Sequence, residues 1–196
     1  MLHDELPNAD RKRFVANIES EASRIAQLIE RLLDLAQLEQ QRSLVAPSSG
    51  AIKTLVDALL ADRDAIARTR DIAFQHRVAA ECQIVGDVFL LRQALLNLLD
   101  NALAFTPPGG SISFAARHGQ AQWVVSCHNS GAAIPDYALP RLTERFFSLP
   151  RPATGRKSSG LGLSFVVEVA KLHGGHFAIE NDPAGGVTAA LHLPPA

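Results

Sequence analysis

Cysteine is scarce: Cys82 and Cys127 are the only two in 196 residues, far apart and without a Cys-x-x-Cys pair. Neither a disulfide framework nor a cysteine-based zinc site is expected, and a reduced compartment fits. A charge excess is equally lacking, since 19 Lys and Arg stand against 20 Asp and Glu for a net charge of −1. General attraction to nucleic acid or to an acidic lipid surface is therefore excluded, and any phosphate binding must come from local geometry. Long apolar runs are missing too: "QALLNLLDNALAF" is interrupted by Asn97, Asp100 and Asn101. It falls short of the roughly 18 apolar residues a spanning helix needs, so no membrane-crossing helix is expected. The first residues are too polar for a signal peptide, and no repeat or low-complexity tract is present. What remains is a chain 47% hydrophobic and 20% charged, which suits one or two globular units with a real core.

Residues 9 to 42 read as one long helix, because Ile18, Ile25 and Leu32 recur every seven residues with Leu28 and Leu35 between them. Ala22, Ile29, Leu33 and Ala36 widen that stripe to bundle width, so the face needs a partner. Asn8 after Pro7 is the expected N-cap, at a turn that would end an earlier helix in Met1 to Leu6. "VAPSSGA", residues 45 to 51, is a Pro/Ser/Gly break and the expected boundary between residues 1–45 and 46–196. Helices are expected near 52–68, 87–104 and from Leu161, with strands near 72–78, 82–85, 111–117, 122–127, 176–180 and 187–193. Helices interspersed with antiparallel hairpins indicate an α+β, two-layer sandwich rather than a doubly wound parallel sheet.

Two motifs point to chemistry. In "KSSGLGLSFVVEVAKLHGGHF" Gly160 and Gly162 precede an amphipathic run of Leu163, Val166, Val167, Val169, Ala170 and Leu172. Glycine at a helix entrance is costly unless the backbone bends sharply or something approaches closely. The unpaired first amides and the macrodipole make such an N-terminus an anion site, with Arg156 and Lys157 just upstream; an ordinary flexible loop is the plain alternative. In "LRQALLNLLDNALAFTPPGG" Asn97 and Asn101 share one face of a leucine-rich helix. Buried amides need partners, and their oxygens can complete a magnesium shell beside phosphate and water. Local hydrogen bonding is the other reading the two residues leave open.

With these segments in view the chain resembles the sensor histidine kinases of two-component systems, whose catalytic domain shares the Bergerat (GHKL) ATP-binding fold with gyrase. "NLLDNA" is like the N box, "NSGAAIP" like the first glycine box, "ERFFSLPR" like the F box and "GLGL" like the second glycine box, in the family's order. "FVANIESEASRIAQLIERLLDLAQLE" is similar to the second helix of the dimerisation hairpin, and "IPDYALPRLTERFFSLPRP" resembles the carbon-source-responsive branch. The resemblance implies ATP and Mg2+ as cofactors, with Asn97 and Asn101 as metal-holding and catalytic residues. It implies nucleotide contacts from Asn129, Gly131, Ile134, Ser159, Gly160, Leu161, Gly162 and Leu163. Residues 148 to 159 would be a mobile lid, anchored by Phe146 and Phe147, with Arg145 or Lys157 offering charge to the γ-phosphate. It further implies a response-regulator receiver domain as partner, homodimerisation through the hairpin, and the cytoplasmic part of an inner-membrane-anchored bacterial protein, attached through other segments.

Departures matter as much. Asn129 stands where the first glycine box has an acid that accepts a hydrogen bond from the adenine amino group, and Ala133 replaces that box's second glycine. A neutral bond in place of a charge-assisted one weakens ATP binding by about tenfold. Ala104 stands where relatives carry Lys or Arg. His3 in "LHDELP" imitates a phospho-acceptor poorly, so the acceptor is expected upstream. His76, His118, His128, His173, His176 and His192 carry no metal-type company. Three functions compete: an ATP-dependent protein histidine kinase fragment, a hydrolysing ATPase of the same fold, and a non-catalytic interaction module. The hydrolases carry a water-activating Glu where this chain has Asn97, which favours the kinase.

Overall fold

The computed structural model describes residues 8–44, 47–119 and 122–195. His3 and the segment before Asn8 lie outside them. The long helix α1 runs Asn8–Gln40, close to its expected bounds. Along most of its length the apolar stripe faces solvent, with Phe14, Ile18, Ile25, Ile29 and Leu33 all more than half exposed. Only its last turns are covered, through Leu35 and Leu38.

A strand that sequence periodicity missed follows: β1, Ser48–Ala51. Ser-Ser-Gly-Ala has little intrinsic strand preference. The segment is a strand because it pairs antiparallel with β3, Gln83–Gly86, placing Ser48 opposite Gly86. Helix α2, Ile52–Thr69, and strand β2, Ala73–Arg77, come between them. The main sheet then has the order β2-β4-β5-β7-β6, with β4 Ser111–His118, β5 Trp123–Asn129, β6 His176–Asn181 and β7 Val187–Leu193. All its pairings are antiparallel except β2 with β4, which is parallel. That one pair runs parallel because a long crossover through β3 and the helix after it joins the two strands.

Helices α2, α3 (Val88–Phe105) and α4 (Gly162–Leu172) form the second layer. Ile112 and Phe114 of β4, Val125 and Cys127 of β5, and Ala189, Leu191 and Leu193 of β7 alternate inward and bury against them. That period of two matches a sheet with one face on the core. Truncating fully buried Phe114 to Ala would cost about 3–5 kcal/mol. Burial pushes the Cys127 thiol up to about 12, which keeps it protonated.

Helix α3 is the axis of the domain. By length and composition alone it could cross a membrane, a property that a core helix shares. In the fold Leu91, Leu95, Leu98, Leu99 and Leu103 are buried inside protein. Asp87 caps the helix by accepting from the Leu90 N–H at 3.0 Å. At the other end the Arg70 guanidinium donates to the Leu103 carbonyl and, at 3.0 Å, to that of Thr106, satisfying carbonyls that have no helical partner. A buried His173 joins α4 to this start: Nδ1 meets the Val169 carbonyl at 2.7 Å, and Nε2 accepts from the Asp87 N–H at 3.0 Å. Burial holds the His173 pKa below 6.5, consistent with a neutral ring that donates from one nitrogen and accepts at the other.

Candidate functional site

The outer face of α3 and the loops beside it enclose a cavity of about 430 Å³, a volume typical of small-molecule sites. Asn97 and Asn101 project from α3 into it; Asn129 closes β5 on its floor; Ile134, Phe147, Ser159, Gly160, Gly162 and Leu163 complete much of the wall. Segments up to about 65 residues apart in sequence thus converge, which is the juxtaposition the ordered boxes imply.

Local chemistry explains each placement. The Asn97 Nδ2 donates to the Gln93 carbonyl at 3.0 Å, which turns Oδ1 toward the start of α4. A Cβ placed on Gly162 would stand 3.1 Å from that oxygen. Gly160 serves a different purpose: at φ +68° it would bring a Cβ within 2.5 Å of the Phe146 backbone. Its carbonyl accepts from the Phe146 N–H at 3.1 Å, so the F box and the second glycine box are locked together through main chain. Helix α4 begins without a side-chain cap, leaving its first amides to the cavity side. The Ser159 hydroxyl instead accepts from Leu161 N–H at 3.4 Å.

Five expected residues stand off the wall. Gly131 is packed where a Cβ would lie 2.4 Å from the Phe105 carbonyl, so it permits the loop's close approach to α3 rather than touching the space. Leu161 is buried behind the wall, and Lys157 is exposed. Phe146 is 64% exposed as a residue, and it meets the second glycine box through the main-chain bond above. Phe147 does face the cavity, with the Arg141 guanidinium 4.4 Å above its ring. Arg145 is paired with Glu39 of α1 instead. The guanidinium groups that line the cavity are Arg151 of the lid segment and Arg31 of α1, and neither was singled out from sequence. Arg151 sits within the F-box motif and could have been found there, whereas nothing local marks Arg31.

Asn181 was also missed. Its Oδ1 accepts from the Ile134 N–H at 2.7 Å and its Nδ2 donates to the Ile134 carbonyl at 2.9 Å. One side chain on β6 thereby fixes the first glycine box. Across the lid segment, Arg151 to Ser158 are exposed and Ser159 is half-buried. It is held by its own turn, Gly155 N–H to Arg151 carbonyl at 2.8 Å, and by Ser148 Oγ to the Ser158 carbonyl at 3.2 Å.

The model of the family described as histidine kinase-, DNA gyrase B- and HSP90-like ATPases matches residues 86–196, and the chain belongs to that ATP-binding family. Within it the similarity is to sensor histidine kinases. Sensor protein CreC of Escherichia coli strain K12 is 44% identical over 186 residues, covering 92% of this chain and 38% of the relative. The likeness to the carbon-source-responsive branch is thereby supported, and the chain spans about two fifths of that relative's length. The mycobacterial sensor histidine kinase MprB superposes with a TM-score of 0.65 at 30% identity, over 76% of this chain and 97% of that one. Histidine kinase ThkA, solved in complex with response regulator TrrA, gives 0.74 at 22% identity over 98% and 53% of the two chains. At that identity ThkA supports the fold alone, long helix included.

Proposed function

We propose that this chain is the ATP-binding catalytic part of a sensor protein histidine kinase, with residues 1–45 contributing to a dimerisation hairpin and 46–196 forming the catalytic domain. The observation that carries this is the convergence of four boxes on one cavity, with Asn97 and Asn101 on the α3 side and Gly162 opening α4 beside Asn97. The reaction breaks the bond between the γ-phosphorus and the ADP oxygen and forms a phosphorus–nitrogen bond to a histidine on an upstream helix. A response regulator receiver domain then takes the phosphoryl group; ThkA, a histidine kinase of the same fold, is solved in complex with response regulator TrrA. The full-length protein is a homodimer through the hairpin, and this part is cytoplasmic, tethered to the inner membrane by other segments.

Phosphoryl transfer depends chiefly on positioning and electrostatic stabilisation, and each group has such a task. The oxygens of Asn97 and Asn101 would hold Mg2+, which, when bound, offsets phosphate charge. The free amides at the start of α4 receive phosphate oxygens. Arg151 and Arg31 supply positive charge from the lid and from α1, in place of the expected Arg145 and Lys157. Ile134, Ile179 and Val187 give the base an apolar slot. A hydrolase reading is disfavoured because Asn97 has no basic group to activate water.

The test is calorimetry of Mg-ATP binding, followed by labelled ATP with a separate hairpin that carries an acceptor histidine. Asn101→Ala should abolish magnesium-dependent binding. Acid-labile, base-stable label should appear on the added hairpin. ATP binding without any transfer would favour the non-catalytic module, and unchanged affinity in Asn101→Ala would overturn the site.

A further inference from the structure

Asn129 is 7% exposed, and its Nδ2 is buried without a hydrogen-bond partner. A buried donor left unpaired is destabilising, so a ligand that brings an acceptor to it recovers that loss. The surrounding wall is apolar: Phe105, Ile134, Ile179 and Val187. Nearby polar side chains are already engaged. Thr106 Oγ1 donates to the Ala102 carbonyl at 2.7 Å, Thr188 Oγ1 meets His128 Nδ1 at 3.1 Å, and Asn181 is spent on Ile134. A Cβ on Gly131 would lie 2.6 Å from Asn129 Nδ2, so the glycine leaves room for the amide itself.

A carboxylate at this position only accepts. An amide presents one acceptor and two donors side by side. Adenine shows it an N6 donor beside the N1 acceptor, which match Oδ1 and Nδ2. A 6-oxopurine shows the reverse, an O6 acceptor beside an N1–H donor. Half a turn about χ2 exchanges oxygen and nitrogen of the amide within the same outline and matches that edge equally well. Two carboxylate oxygens would instead set a lone pair against O6. Resting on the ATP reading above, we propose that Asn129 opens the base pocket to 6-oxopurine nucleoside triphosphates as well as to ATP.

Inosine triphosphate is the probe, because it carries the 6-oxo edge without a 2-amino group. Calorimetry with magnesium should give the chain affinities for ATP and inosine triphosphate within about tenfold of each other. Asn129→Asp should tighten ATP by about tenfold and weaken inosine triphosphate by about tenfold or more. Asn129→Ala, checked for folding by circular dichroism, should weaken both together. If the chain binds ATP but rejects inosine triphosphate by over about a hundredfold, the proposal fails while the ATP site stands. Unchanged binding of both in Asn129→Ala overturns it too. Binding of neither nucleotide overturns both readings.

Discussion

Gly160 and Gly155 form a natural pair for separating backbone strain from collision. Both hold positive φ, +68° and +65°, a region that costs a side-chain-bearing residue about 1–2 kcal/mol. Around Gly155 an added Cβ meets nothing within 4 Å, whereas at Gly160 it would sit 2.5 Å from Phe146 C and 2.7 Å from Phe147 N. Those are main-chain atoms and cannot rotate away. Restoring ordinary contact requires the F-box backbone to retreat by roughly 1 Å, in a packed region where such shifts cost about 1–3 kcal/mol. Gly155→Ala should therefore lower the unfolding free energy by about 1 kcal/mol or less, because its exposed turn can relax, and leave Mg-ATP affinity unchanged. Gly160→Ala should lose about 2–5 kcal/mol and weaken Mg-ATP by about tenfold or more, because Phe147 moves with the strand of backbone that clashes. Urea unfolding followed by calorimetry on the folded fractions reads both numbers. Equal losses in the two variants would refute the collision argument, and unaltered nucleotide affinity in Gly160→Ala would detach the F box from the site.

Two further outcomes follow from single side chains. Asn181→Ala should destabilise by about 1–3 kcal/mol, by stranding the Ile134 N–H and carbonyl, and should weaken nucleotide binding; a stable variant with intact affinity in the same two assays would show that the loop holds itself. The depressed His173 pKa means the folded state prefers the neutral ring. Its contribution to stability is complete above pH 6.5 and is lost as pH falls from there through the folded value. Urea midpoints between pH 7.5 and 5 should fall more steeply for the native chain than for His173→Gln, and parallel slopes would contradict the neutral-ring assignment.

Periodicity located α2 and α3 to within a residue or so, because each is bounded by capping or turn chemistry and carries a dense apolar face. It failed on β1, whose four small residues become a strand only through β3. The parallel β2–β4 pairing was equally hidden, since no local signal says which edge a strand joins. The cavity was legible where motif and geometry coincide, as at Asn97, Asn101, Asn129 and Gly160. It was illegible where a residue's use depends on a distant partner: Arg145 is claimed by Glu39, Arg31 arrives from another element, and Asn181 acts on backbone 47 positions away.

The covered end of α1 amounts to Leu35, Leu38 and the Glu39–Arg145 pair. Two buried leucines contribute about 1.5–3 kcal/mol each, and an ion pair this exposed adds at most about 1 kcal/mol. The seam is thus a joint of modest strength, placed where Arg145 of the F box meets α1 and Arg31 borders the cavity. Since each 1.4 kcal/mol alters a two-state ratio by about tenfold, freeing the domain from it takes about 3–7 kcal/mol in all. The helix that carries the exposed apolar stripe thus ends against the wall of the cavity, so whatever covers the stripe bears on an element that also lines the site.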